Sequence, residues 1–371
     1  MRLLLTLIFA AIACAQPTWR EAAPILDRYC NECHRAGQVG PFDFTTYEGA
    51  AAYAPEILRY ITGNKMPPWR AKPSPLAFAH SRAMPDSATA TLLDWINGGT
   101  REGAAPPLPK RQPQWNLGKP DLIVAQPREH TVAAEKTVDI ISFEVPATEL
   151  GTTTMDRYFD GLELRPSNRT LLHHAVLKVA GQPIAAWAMC DGGVRLPSAV
   201  AWQLPRGKAL TVELHYFKRN VRPGRDLTRV AFFWAKAKPQ RIASLIEVTK
   251  PDIRIPAGAN LHTEKMRFTL RENVQLHGVL PVFQLLAASV RVKLEGQRDY
   301  FLWVEPFEHH VMMGYFLARP LALRRGAALA IEATYDNSTQ NPYNPHRQLR
   351  EVRFAENGLD ETFRLWLTIS R

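Results

Sequence analysis

Residues 210–218 read LTVELHYFK, and their alternation decides the fold. Leu210, Val212, Leu214 and Tyr216 fall on one face of an extended chain, while Glu213, His215 and Phe217 fall on the other. A period of two is the signature of a half-buried strand. The same reading extends to Thr137–Val145, Leu171–Val179, Arg229–Trp234, Val290–Leu294, Phe301–Val304, Leu329–Thr334 and Phe363–Ile369, separated by Pro, Gly and Asn turns. Helical periodicity is nearly absent after residue 121, which predicts antiparallel β-sandwiches. About 250 residues is generous for one sandwich, so two in tandem are expected, 122–235 and 236–371.

The region before them differs. Residues 104–121 form a stiff, extended linker in which five prolines lie between Pro106 and Pro120. Residues 17–103 read as a small all-α domain with three helices. Pro24 is expected to open the first, which continues through Ile25, Leu26 and Tyr29. Another follows Pro55 through Ile57, Leu58 and Ile61. The last starts near Ser87, carries Leu92, Leu93 and Ile96, and stops at Gly98-Gly99.

Residues 1–15, MRLLLTLIFAAIACA, combine an early Arg2, an apolar run and small residues before position 16. This is a secretory signal, too short to span a bilayer, and it predicts a periplasmic or secreted protein. Acylation of Cys14 as a lipoprotein is the competing reading. No later segment has the length of a membrane helix. The formal net charge of +11 favours acidic partners. Its Lys and Arg are scattered and no binding motif is present, so nucleic acid is not an expected partner.

The chain has four cysteines, and Cys190, with no partner to pair with, reads as a small buried hydrophobe. Cys30 and Cys33 stand in Cys30-Asn31-Glu32-Cys33-His34. A C-x-x-C-H in an exported chain is the attachment sequence for haem c: both cysteines form thioethers and His34 becomes an axial iron ligand. Met66, in "GNKMPPWRA", is the expected second axial ligand, with His80 and Met84 as competitors. A partner protein that exchanges electrons follows from this reading.

His173-His174 and His215 are the other candidates. Neighbouring residues on a regular strand point to opposite faces, so the pair can meet one metal only at a strand end, bulge or bend. Three neutral imidazoles would suit copper or zinc.

The segments "RYFDGLELRPSNRTLLHHAVLKV" and "LPRGKALTVELHYFK", followed by "IPAGANLH", "LHGVLP" and "YDNSTQNPYNP", together resemble the copper type II, ascorbate-dependent monooxygenases. The bacterial members with an N-terminal c-type cytochrome domain, C-x-x-C-H and M-P-P-W are the most similar. The resemblance implies a cytochrome c-like domain followed by two jelly-roll sandwiches. It assigns His173, His174 and His215 to an electron-storing copper. It also implies an oxygen-activating copper held by H-x-H and a methionine, but the aligned residues are Val282-Phe283-Gln284 and Thr362. With those ligands missing, electron transfer or partner binding is expected rather than hydroxylation of a substrate. A copper- and haem-dependent monooxygenase is the alternative. It would need a replacement site, for which Glu308, His309, His310, Met312 and Met313 are the local donors.

Overall fold

The computed structural model describes residues 16–104, 115–218 and 222–371. The expected signal sequence with Cys14, and most of the proline-rich linker, lie outside the described residues. Among the described residues the chain is mostly β, with five α-helices. It divides into two units. One holds the described residues through Pro67 together with Arg82 to position 104. The other holds Pro68–Ser81 and everything from position 115 onward.

The helical unit contains α1 (Trp19–Tyr29), α2 (Tyr47–Ala52), α3 (Ala54–Thr62) and α4 (Asp86–Asn97). Thr18 caps α1 and exchanges hydrogen bonds with Glu21 in a capping box, which satisfies the first free amides of the helix. The helix therefore starts before Pro24, which lies inside it instead of opening it. Tertiary packing of Trp19, Ala22, Ala23 and Leu26 against Leu92 and Trp95 of α4 outweighs the amide that Pro24 lacks. Pro55 stands in the first turn of α3, and Gly98 ends α4.

The β unit is built on one nine-stranded sheet and two four-stranded sheets. In the first sandwich, strands Val138–Val145, Leu210–Phe217, Leu172–Val179 and Gln182–Ala188 form a four-stranded sheet. They pack on the half of the large sheet that contains Arg229–Trp234, Arg157–Arg165 and Val200–Leu204. In the second sandwich, His262–Thr269, Ala328–Tyr335, Ala287–Leu294 and Leu302–Val304 cover Arg241–Thr249, Arg364–Ser370, Val274–Val282 and Tyr315–Leu323.

The large sheet runs through both sandwiches because Arg241–Thr249 pairs with Val200–Leu204. That pair is parallel, whereas antiparallel pairing throughout is the expectation from sequence. A third apolar cluster, including Val176, Ala188, Leu245, Leu280, Met312 and Trp366, joins the outer face of the first four-stranded sheet to the large sheet. Strand Leu172–Val179 is thus covered on both faces, which explains why its sequence reads as a nearly continuous apolar run.

Candidate functional site

Two groups of side chains gather the residues singled out by sequence. The first closes α1. Cys30 is the C-cap residue, and its amide donates to the Leu26 carbonyl at 2.9 Å. The chain then turns: the amides of Cys33 and His34 donate to the Cys30 carbonyl at 3.1 and 2.9 Å. This turn brings Cys30, Cys33 and His34 together on the end of one helix. Both cysteines are thiols. Burial, with Cys33 adjacent, pushes the Cys30 thiol up to about 12, so it stays protonated at neutral pH.

Burial holds the His34 imidazole below its ordinary range, and the ring is neutral. It stacks on Phe44, with centroids 4.7 Å apart. The Phe44 amide donates to the His34 carbonyl at 3.1 Å, and the buried Asn31 side chain donates to the Phe44 carbonyl at 3.4 Å. Gly40 passes so close that a Cβ there would lie 2.6 Å from His34 Nδ1 and 2.7 Å from the Cys33 carbonyl oxygen. His34 Nδ1 is buried without a hydrogen-bond partner. Glu32, between the cysteines, accepts two hydrogen bonds from Arg82 at 3.1 and 3.0 Å.

Met66 follows α3, is 37% exposed, and donates its amide to the Tyr60 carbonyl at 3.1 Å. Of its competitors, His80 is exposed and belongs to the β unit, and Met84 is half-buried.

The second group lies where the two sandwiches meet within the β unit. Pairing of strand Leu172–Val179 with Leu210–Phe217 jumps from Leu172↔Tyr216 to His174↔His215, so His173 occupies a bulge. The bulge buries both members of the pair, at 5% and 6% exposure. His174 stacks on His215 at 4.1 Å between centroids, and His173 stacks on His309 at 4.0 Å. Val282, Gln284, Thr362, Glu356 and Arg364 line the same small cleft.

Hydrogen bonding fixes what these imidazoles can do. His173 Nε2 donates to the His309 carbonyl at 2.7 Å, which leaves Nδ1 as an acceptor facing His174 Nδ1 at 3.1 Å. His309 Nδ1 donates to the Phe283 carbonyl at 2.9 Å, and His215 Nε2 donates to Glu213 at 3.0 Å. That bond, with Lys178 at 2.7 Å, draws the Glu213 carboxyl down to about 2. Burial first, and then the neighbouring imidazoles, hold His174 well below its ordinary range. The rings of His174 and His215 are stacked nearly parallel, 19° apart in plane.

The expected electron-storing copper centre is accordingly corrected. Among the described residues, no three or more His, Cys, Asp and Glu side chains are arranged to hold a metal ion. His173, His174 and His215 are neighbours whose ring nitrogens are largely committed to protein partners. The proposed replacement donors also scatter. Glu308 pairs with Arg70 at 3.1 Å and His309 faces His173. Met312 enters the inter-sandwich cluster, whereas Met313 enters the core of the second sandwich. His309 was out of reach of sequence reasoning as a partner of His173, because 136 positions separate them. Only the adjacent His309-His310 pair hinted at it.

No family model matches the chain, and no curated protein matches it. Solved structures similar to it include the major capsid protein P2 from bacteriophage PM2, with 9% identity and a TM-score of 0.33, covering 67% of this chain and 96% of that one. The STIV MCP is another, with 8% identity and a TM-score of 0.26, covering 60% and 97%. The resemblance to copper monooxygenases is corrected: no family model supports it, and among the described residues the geometry supplies no copper site. The copper, metal-binding and oxidoreductase expectations drawn from that resemblance go with it.

Proposed function

We propose that the helical unit is a c-type electron carrier, in which Cys30 and Cys33 would hold haem through thioethers and His34 and Met66 would ligate its iron. The reading rests on the residues of this unit and borrows nothing from the monooxygenase resemblance. One observation carries it: the turn after α1 presents both thiols beside a buried, neutral imidazole whose Nδ1 has no hydrogen-bond partner. Burial keeps that imidazole neutral, the form in which it can serve as a ligand. Thioether bonds hold haem covalently, so retention needs no converging cluster of donor side chains.

Haem c, when bound, supplies one reversible electron. The chain's own residues do the rest. Phe44 and Gly40 confine the His34 ring on two sides, and the Glu32–Arg82 pair fixes the turn between the cysteines. Met66 would offer a soft thioether, a ligand type that raises the potential of such a centre and suits a carrier. Residues 1–15 would export the chain to the compartment where such haem is attached, and a redox protein is its partner.

The test is maturation of the full chain in a host that attaches c-type haem. The protein is expected to keep haem through a denaturing gel, and Cys30→Ala with Cys33→Ala is expected to lose it. A folded parent that carries no covalent haem would refute the reading.

A further inference from the structure

In the second sandwich, four neighbouring strands of the large sheet end side by side. Ala243 pairs with Ser370, Gln275 pairs with both Ser370 and Ala322, and Val274 pairs with Leu323. The starts of Arg241–Thr249 and Val274–Val282 therefore lie beside the ends of Arg364–Ser370 and Tyr315–Leu323. The residues beyond these strand ends are tied together. Gly326 N donates to the Leu270 carbonyl and Leu270 N to the Ala327 carbonyl, both at 2.9 Å. Arg325 N donates to Asn273 Oδ1 at 2.9 Å, and Arg371 N donates to the Ile242 carbonyl at 3.3 Å. This register gathers Arg241, Arg271, Arg324, Arg325 and Arg371 at one end of the sandwich, and all five are exposed.

Their charge is not cancelled locally. Glu272 is held by Arg371 at 2.6 Å, and Glu295 by Arg267 at 2.7 Å. Among the described residues, Arg241, Arg271, Arg324 and Arg325 form no salt bridge. After burial, the charge of Arg241 is what holds the nearby His277 imidazole low, so that charge is felt inside the sheet. Between Arg241 and Arg324 the surface dips into a hollow of about 220 Å³, lined also by Asn273, Val274, Gln275, Ala322 and Leu323. No carboxylate is among these lining residues. Asn273 Oδ1 is taken by the Arg325 amide, which leaves Asn273 Nδ2 as a donor, and Gln275 brings a second side-chain amide. Pockets that enclose a drug-sized ligand hold about 300–1,000 Å³. The smaller hollow here suits one anionic group of a ligand rather than a whole molecule.

We propose that this hollow binds a phosphate group, with Arg241 and Arg324 as its cationic walls and the amides of Asn273 and Gln275 as neutral donors. A guanidinium presents its N–H groups in a fork that matches two phosphate oxygens, and two such forks face one hollow here. Arg271 and Arg325 extend the positive field around it and draw anions toward it. The phosphate belongs to a free ester or to the headgroup of an anionic lipid, whose negative surface attracts exposed arginines in the same way. The inference is independent of the haem reading and of the histidine cleft.

Three full-length proteins test this: the parent, Arg241→Gln with Arg324→Gln, and Arg206→Gln with Arg225→Gln. The last removes the same charge from exposed positions of the first sandwich. Each is titrated calorimetrically with inorganic phosphate, and each is floated with phosphatidylcholine vesicles that contain or lack phosphatidylglycerol. The parent is expected to bind through a single saturable site. The Arg241/Arg324 variant is expected to bind about tenfold more weakly or worse, as loss of charge-assisted hydrogen bonds requires. The Arg206/Arg225 variant is expected to match the parent. Saturable phosphate binding without flotation assigns a free ester, and flotation that needs both phosphatidylglycerol and the two hollow arginines assigns the lipid. Should the hollow variant fail to fold, Arg324→Glu alone reverses the charge of one wall in an exposed turn. Neither phosphate binding nor phosphatidylglycerol-dependent flotation by the parent overturns the inference. So does an equal loss in the Arg206/Arg225 variant, which would reduce the effect to net charge, and so does succinate binding as tight as that of phosphate.

Discussion

His277 shows how far a single side chain can be read before its surroundings are known. In the sequence it is one of several histidines near an apolar run. In the fold it is 2% exposed at a bulge in strand Val274–Val282, with Nε2 2.8 Å from Ser370 Oγ. Burial first, and then the nearby Arg241, hold its imidazole down to about 4. A base with a depressed folded pKa binds its proton more readily when unfolded, so its contribution to stability is complete above about 6.5 and is lost as pH falls toward 4. The displacement is worth about 3 kcal/mol. Urea titrations between pH 7 and pH 4 are expected to show a shallower loss of stability for His277→Asn than for the parent. Equal slopes would show that the ring is not buried in neutral form. Five consecutive letters singled out Cys30–His34, and the fold places them in the turn that closes α1. The histidine cluster was legible only in part. His173, His174 and His215 were found, but their hydrogen bonds to His309 and Glu213, which decide against a shared metal, depend on tertiary approach.

At the scale of elements, alternation served well and helix punctuation less so. Strand Leu210–Phe217 has the bounds that its alternation predicts, and Arg229–Trp234 does too. In Leu210–Phe217 the alternating apolar positions face one core, whereas Arg229–Trp234 buries Val230 and Phe232 on one face and Ala231 and Phe233 against Trp115 on the other. The start of α1 was misplaced because Pro24 is a strong local signal, whereas the Thr18–Glu21 capping box competes with it from farther upstream. Thr18→Ala should destabilise the helical unit by about 1 kcal/mol. The amide exchange of α1 is the measurement: faster exchange in its first turn is expected, and unchanged protection would mean that packing of Trp19 fixes the helix start without the cap. Residues 68–81 form a strap, in which Ala71 bridges Val304 and Phe78 bridges Leu317 on two edge strands of the second sandwich. The strap was invisible to pattern reading, because it is neither periodic nor long and nothing local reveals that it lies on strands more than two hundred positions away.

For the whole molecule, the continuous sheet has an energetic meaning. Two sandwiches with separate sheets could melt separately, but here Val200–Leu204 and Arg241–Thr249 are hydrogen-bonded neighbours. The cluster containing Leu245, Leu280 and Trp366 adds apolar burial across the same junction. Leu245→Ala is expected to cost about 2–5 kcal/mol. Its effect should reach both sandwiches, so that amide protection falls together in Leu210–Phe217 and Ala328–Tyr335. Loss confined to one of them would indicate two independent folding units. The strap adds a constraint of another kind. Because residues 68–81 interrupt one unit to complete the other, no single cut in the polypeptide separates the two. Residues 16–104 made alone would carry Trp69 and Phe78 with no sheet to lie on, and the β unit made from residue 115 would keep two bare edges. For this chain, a gene fragment and a structural unit are different things, and the two parts must be made as one polypeptide.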